Sequence, residues 1–62
     1  MDYHYHLTIY RDGKIIDEFS DCYNLEIDSC ITVNYIKDDD IECMVSYSLS
    51  GLTFELEFLG EY

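Results

Sequence analysis

Apolar and polar residues alternate one for one along most of this chain. Over residues 3–10, Tyr3, Tyr5, Leu7 and Ile9 fall on one side, and His4, His6, Thr8 and Tyr10 on the other. A period of two marks a β-strand with one buried and one solvated face. Arg11-Asp12-Gly13 then reads as a hairpin turn. A two-residue Asp-Gly turn would pair Ile9 with Ile16 and put Glu18 on the core face. A three-residue loop with Gly13 left-handed pairs Ile9 with Ile15 and Tyr5 with Phe19 instead. The second register is preferred, although it turns Asp17 inward near the sheet edge.

The alternation resumes through Tyr23, Leu25, Ile27, Ser29, Ile31, Val33 and Tyr35. That stretch is long for one strand, so a bend or break is expected around Asp28-Ser29-Cys30. A short helix near residues 20–28, capped by Ser20 or Asp21, is the competing reading, but it would set Glu26 on the apolar stripe. Lys37-Asp38-Asp39-Asp40 is a polar turn, and Ile41, Cys43, Val45 and Tyr47 then point inward over residues 41–48. Ser50-Gly51 makes the last turn. Over residues 52–59, Leu52, Phe54, Leu56 and Phe58 face in, while Thr53, Glu55 and Glu57 face out.

These segments predict an all-β fold of five or six short antiparallel strands, because two- to four-residue connections cannot make parallel crossovers. An α+β fold with one short helix near residues 20–28 is the alternative. A flat sheet would leave its apolar face wet, so the meander should curl into a small barrel or sandwich. Dimerisation through the apolar face or an open edge is the other escape. A chain of 62 residues makes one domain, residues 1–62.

Composition sharpens this picture. The chain is 48% hydrophobic and 16% aromatic, with 7 Tyr and 3 Phe, so it can build a core and is not an acidic disordered tail. The tyrosines at 10, 23, 35, 47 and 62 exceed what so small a core can hold, so several should lie among surface acids. There is no apolar stretch near the length needed to span a bilayer, and the N-terminal residues carry no secretory pattern. Cys22, Cys30 and Cys43 are odd in number and spaced by 8 and 13, which fits neither a disulfide framework nor a zinc motif. Free thiols in a cytoplasmic protein are expected.

Charge is the extreme property: 14 Asp and Glu stand against 3 Lys and Arg, a formal net charge of −11. That sign excludes direct binding to DNA, RNA or an anionic membrane. Solubility of a small domain asks for a net charge of only about 2–8, and the excess works against the fold by self-repulsion. A dedicated basic partner is the reading that explains it. On the expected scaffold, Glu55 and Glu57 are i, i+2 on the outer face of the last strand. Glu26 and Asp28 are i, i+2 on the third, Glu42 lies outward on the fifth, and Asp38, Asp39 and Asp40 cluster in the turn before it. Same-face residues stand about 6.6 Å apart along a strand, comparable to successive phosphates of a nucleic acid.

Other chemistry finds little support. His4-x-His6 puts two imidazoles on one face, but two ligands do not make a metal site. The Asp38-Asp39-Asp40-Ile41-Glu42 run lacks the alternating ligands and glycine of a calcium loop. No phosphate loop, nucleophile elbow or paired catalytic motif is present, and no cofactor or enzymatic activity is expected.

In its size, its charge of −11 and its strand-borne acids, the chain resembles the small acidic phage-encoded anti-defence proteins, which include anti-CRISPR proteins and anti-restriction DNA mimics. The resemblance implies a stoichiometric inhibitor in the bacterial host cytoplasm, monomeric or homodimeric. Such a protein would occupy the nucleic-acid-binding surface of a Cas effector or comparable nuclease. Its first contact candidates would be Glu55, Glu57, Glu42, Asp38, Asp39 and Asp40, with Glu26 and Asp28 behind them. The alternative is an acidic interaction module, such as an immunity protein, an antitoxin or a small assembly subunit, with no nucleic-acid mimicry.

Overall fold

The computed structural model describes residues 3–61 and, at position 39, the backbone alone. The fold is all-β: strands β1 (Tyr3–Arg11), β2 (Lys14–Ile27), β3 (Cys30–Lys37), β4 (Ile41–Ser48) and β5 (Thr53–Glu61), with one 3-10 turn over Asp38–Asp40. All pairings are antiparallel, in the order β4-β3-β2-β1-β5. The first four strands form the expected meander, and β5 returns to pair with the free side of β1. Residues 20–28 hold no helix; most of them continue β2. Asp28 and Ser29 form the turn where a break was expected.

The first hairpin has the two-residue turn that was not preferred. Asp12 and Gly13 both have positive φ, 54° and 76°, the backbone of a type I′ turn whose twist matches the flanking strands. The register still differs from a plain two-residue hairpin, because Ile16 is an extra residue between the pairs Tyr10–Ile15 and Ile9–Asp17. This bulge turns Asp17 toward the core face, as the longer loop would have done, but the pairs differ from that register: Phe19 lies opposite Leu7 rather than Tyr5, and Ile9 lies opposite Asp17 rather than Ile15.

Two further irregularities shape β2. Opposite the single residue His6, β2 places both Ser20 and Asp21; opposite Val33 it places Asn24 and Leu25. Asn24 sits at φ 56°, a left-handed conformation that asparagine tolerates better than most residues. Each bulge adds bend and twist, and each restores the alternation so that Phe19, Cys22 and Leu25 share one face.

The bends are required by the last connection. Ser48 pairs with Cys30, Thr53 pairs with Tyr10, and only residues 49–52 join them. In a flat sheet these points would lie roughly 35 Å apart, counting strand spacing and rise, whereas such a connection reaches about 17 Å at most. The sheet therefore curls until its corners meet, leaving a body of 32 × 22 × 18 Å. It is one sheet and does not close into a barrel: β4 and β5 share no ladder and remain its two edges.

Leu7, Ile9, Phe19, Cys22, Ile31 and Val33 form the buried core, with Tyr5, Leu25, Tyr35, Val45, Tyr47, Leu49, Leu52 and Phe54 packed around it. Phe19 and Tyr35 meet at a ring-centroid distance of 5.1 Å. The three cysteines are free thiols; burial, with the nearby Asp21 carboxylate adding to it, pushes the Cys22 thiol up to about 11. Asp17 is a carboxylate that the register turns toward this face, opposite Ile9. One of its oxygens accepts from the Glu18 N–H at 2.9 Å and the other from the Tyr47 hydroxyl. That bond ties the first half of β2 to β4 across the curl.

Leu7→Ala should lower unfolding free energy by about 2–5 kcal/mol, the range for truncating a buried leucine. Tyr47→Phe should cost about 1 kcal/mol by removing a partner of Asp17. Urea titration followed by circular dichroism measures both.

Candidate acidic interaction face

The side of the sheet away from the core carries the polar half of every strand. Its centre is β1, which presents His4, His6, Thr8 and Tyr10 between β5 and β2. The pairing sets Glu57 beside His6, and sets Glu55 and Glu18 on the two sides of Thr8. Carboxylates from two neighbouring strands thus converge on the polar row of the middle one.

Each is held by a named bond. The His6 Nε2 lies 2.6 Å from a Glu18 oxygen, and its Nδ1 lies 3.5 Å from a Glu57 oxygen. Only the imidazolium can donate from both nitrogens, so the pair of acids favours the charged ring. The hydrogen bond that His6 donates to Glu18 is the largest cause of a His6 pKa raised above 6.5, with Glu57 adding to it. The His4 Nδ1 lies 2.5 Å from an Asp21 oxygen, and the His4 ring packs at a tilt against Tyr23, 5.3 Å between centroids. Tyr10 donates its hydroxyl to Glu55, which raises the Tyr10 pKa. A shallow groove of about 350 Å³ is lined by His6, Thr8, Glu55, Leu56 and Glu57.

The sequence-based candidates separate on this scaffold. Glu55 and Glu57 stand where expected, on the outer face of the last strand. Glu42 is outward on β4, at the opposite edge of the sheet order, and accepts a bond from Asn34 Nδ2 at 3.0 Å. Asp38 and Asp40 are exposed in the 3-10 turn, with Asp40 at φ 61°; the side chain of Asp39 lies outside the described residues. Glu26 is outward on the second half of β2, opposite Thr32. Asp28 does not share its strand face, because β2 ends at Ile27 and Asp28 is in the turn. The eight candidates therefore do not make one patch.

Two acids outside the sequence-based candidates, Glu18 and Asp21, join Glu55 and Glu57. The signal that could have found them is the outward row His4, His6, Thr8 and Tyr10, whose basic and hydroxyl groups call for acidic partners on adjacent strands. The two histidines are fixed by their place in the sheet. They occupy a strand paired on both sides. Tyr10 and Tyr23 lie on this outer face, Tyr35 and Tyr47 on the inner one, and Tyr62 is outside the described residues.

Among the described residues, no group of three or more His, Cys, Asp or Glu side chains is placed to hold a metal ion. No family model matches the chain, and no curated protein and no solved structure matches it. Fold and face together define a single curled antiparallel sheet whose outer side carries a framed row of carboxylates.

The sign of the histidine effect follows from its raised pKa. The bonded imidazolium contributes stability below the unfolded pKa of about 6.5, and that contribution is lost as pH rises through the higher folded value. His6→Gln should therefore lower the melting temperature at pH 5.5 and leave it nearly unchanged at pH 9. Thermal melts of both proteins across that range check the difference.

Proposed function

We propose that this protein is a stoichiometric inhibitor that takes the place of nucleic acid on a basic protein surface. The partner class is a DNA- or RNA-handling nuclease complex of a bacterial defence system, as in the acidic anti-CRISPR and anti-restriction proteins it resembles. The observation that supports this reading is the convergence of Glu55, Glu57, Glu18 and Asp21 around the polar row of β1.

Three physical points favour it. Two of those acids repeat along β5 at about 6.6 Å, and the others flank them across β1, so charge is laid out in two dimensions on a paired sheet. Bonds to His4, His6 and Tyr10 hold the carboxylates in place, which lowers the ordering cost of binding. Duplex DNA carries one charge per about 1.7 Å of axis, so a net charge of −11 equals that of roughly half a turn of duplex. Lysines and arginines built to grip phosphates would meet carboxylates at similar spacing.

A second reading, an acidic interaction module without mimicry, is favoured by the exposed aromatic cluster at one end of the inner face. There Phe58 is 59% exposed, against Tyr3 and Tyr5 at 5.8 Å each. Such a module would bind through apolar area, with a shallow dependence on salt.

The two readings part in one experiment. The immobilised protein is incubated with lysate from a bacterium that carries active CRISPR and restriction systems, then washed with duplex DNA or with rising salt. A retained nuclease-complex subunit that duplex DNA releases, and that salt releases steeply, is the expected result. Reversing both Glu55 and Glu57 to Lys should abolish retention while leaving the circular dichroism unchanged. Retention that neither DNA nor charge reversal disturbs would overturn mimicry and favour the module.

A further inference from the structure

The curled sheet has two open edges, and they are not equivalent. β4 and β5 each end the strand order, so each presents a row of backbone groups without a ladder partner among the described residues. Outward on β4 stand Glu42, Met44, Ser46 and Ser48, a single acid in four positions, and Glu42 is bonded to Asn34. On β5 the outward residues are Thr53, Glu55 and Glu57. The side chain of Glu57 is 71% exposed. Its inward neighbours Leu56 and Phe58 are themselves 38% and 59% exposed.

Over residues 53–58, β5 also lacks the usual defences of an edge. Natural edges are blunted by lysine, proline, inward charges or bulges. Residues 53–58 contain no lysine, proline or inward charge. They pair with β1 without interruption from Tyr10–Thr53 to Tyr5–Phe58, and the one irregularity falls beyond them, at Leu59. What protects this edge is charge. A second copy adding its own β5 antiparallel would set outward glutamates opposite outward glutamates, and like charges directly opposite are destabilising. Two molecules of net charge −11 also repel at long range. The edge is closed to a copy of itself and open to a strand of opposite charge.

We propose that the open edge of β5 receives an extended segment of a basic protein as a sixth strand. The segment would alternate basic and apolar residues. Its basic side chains would lie beside Glu55 and Glu57 on the outer face, and its apolar ones beside Leu56 and Phe58 on the inner face. Main-chain hydrogen bonds would supply affinity and the alternating side chains specificity, as in other strand-addition complexes. The groove lined by His6, Thr8, Glu55, Leu56 and Glu57 lies against the same strand and would take the end of a lysine or arginine. This inference rests on the reading that the partner is basic, and it adds how that partner is held.

The probe is a synthetic heptapeptide alternating Lys or Arg with Val or Ile, prepared in three forms. One has a free backbone, and the other two are N-methylated on the odd or on the even residues. All three carry the same charge, but in a docked strand only one methylated set faces β5. Isothermal titration should show the free peptide binding, one methylated form binding at least tenfold weaker, and the other binding nearly as well. Amide hydrogen exchange should slow on β5 within residues 53–58 and stay unchanged on β4. Equal binding of the two methylated forms, protection on β4, no binding at all, or β5-to-β5 dimers in sedimentation would each overturn the proposal. If both methylated forms bind alike and Glu55→Gln with Glu57→Gln weakens both, the basic-partner reading survives and strand addition fails. If the peptide docks as a strand while duplex DNA displaces nothing captured from lysate, strand addition stands and mimicry fails.

Discussion

A strand the length of β2 would run about 46 Å if straight, yet the longest axis of the molecule is 32 Å. The bend in β2 is therefore the constraint on which the rest depends. It is made by residues that interrupt the ladder, Ser20 with Asp21 and Asn24 with Leu25. Without them the two halves of the strand would carry their apolar residues past each other. With them Phe19 meets Tyr35, Tyr47 reaches Asp17, and Leu7, Ile9, Ile31 and Val33 become a common interior. A domain this small buries only about 60% of its unfolded surface, so an apolar face left flat and wet would not be compensated elsewhere.

The same bend governs the charge. A bulged pair turns β2 beside β1 and sets Asp21 next to His4, as the hairpin register sets Glu18 next to His6. A protein with so great an excess of acid would be expected to spread its carboxylates apart. Four of them gather instead around one strand, where two histidines and a tyrosine offset part of the repulsion. Asp38 and Asp40, by contrast, are left to solvent, as solvated charge usually is. Repulsion at the outer row is tolerated because its members are anchored, and anchoring is also what gives the row a fixed shape.

Much of the fold was legible in the alternation. β1, β4 and β5 each read as a strand with the right residues inward, and the turns at Asp12-Gly13, Lys37–Asp40 and Ser50-Gly51 stand where the polar residues and glycines pointed. The bulges were not legible. A period of two carries no mark for an inserted residue, and the left-handed backbone of Asn24 is visible only once β2 and β3 are paired. The return of β5 to β1 was equally hidden, since no local signal tells a strand which distant edge it will join. For that reason Glu55 and Glu57 could be placed outward by sequence, while their convergence with Glu18 and Asp21 could not. Asp28 was misplaced because the alternation runs on through a turn.

The return of β5 has a consequence for the order in which the molecule can assemble. β1 with β2, β2 with β3, and β3 with β4 are joined by short turns, so each pairing closes a small loop. β5 pairs with β1 across nearly the whole chain, and closing so long a loop carries the largest entropic cost of any pairing here. The strand that bears Glu55 and Glu57 is thus the one whose place depends on all the others being taken. An acidic row completed in that way exists as a surface only in the finished fold, and a nascent or partly unfolded chain carries the same charges without the shape.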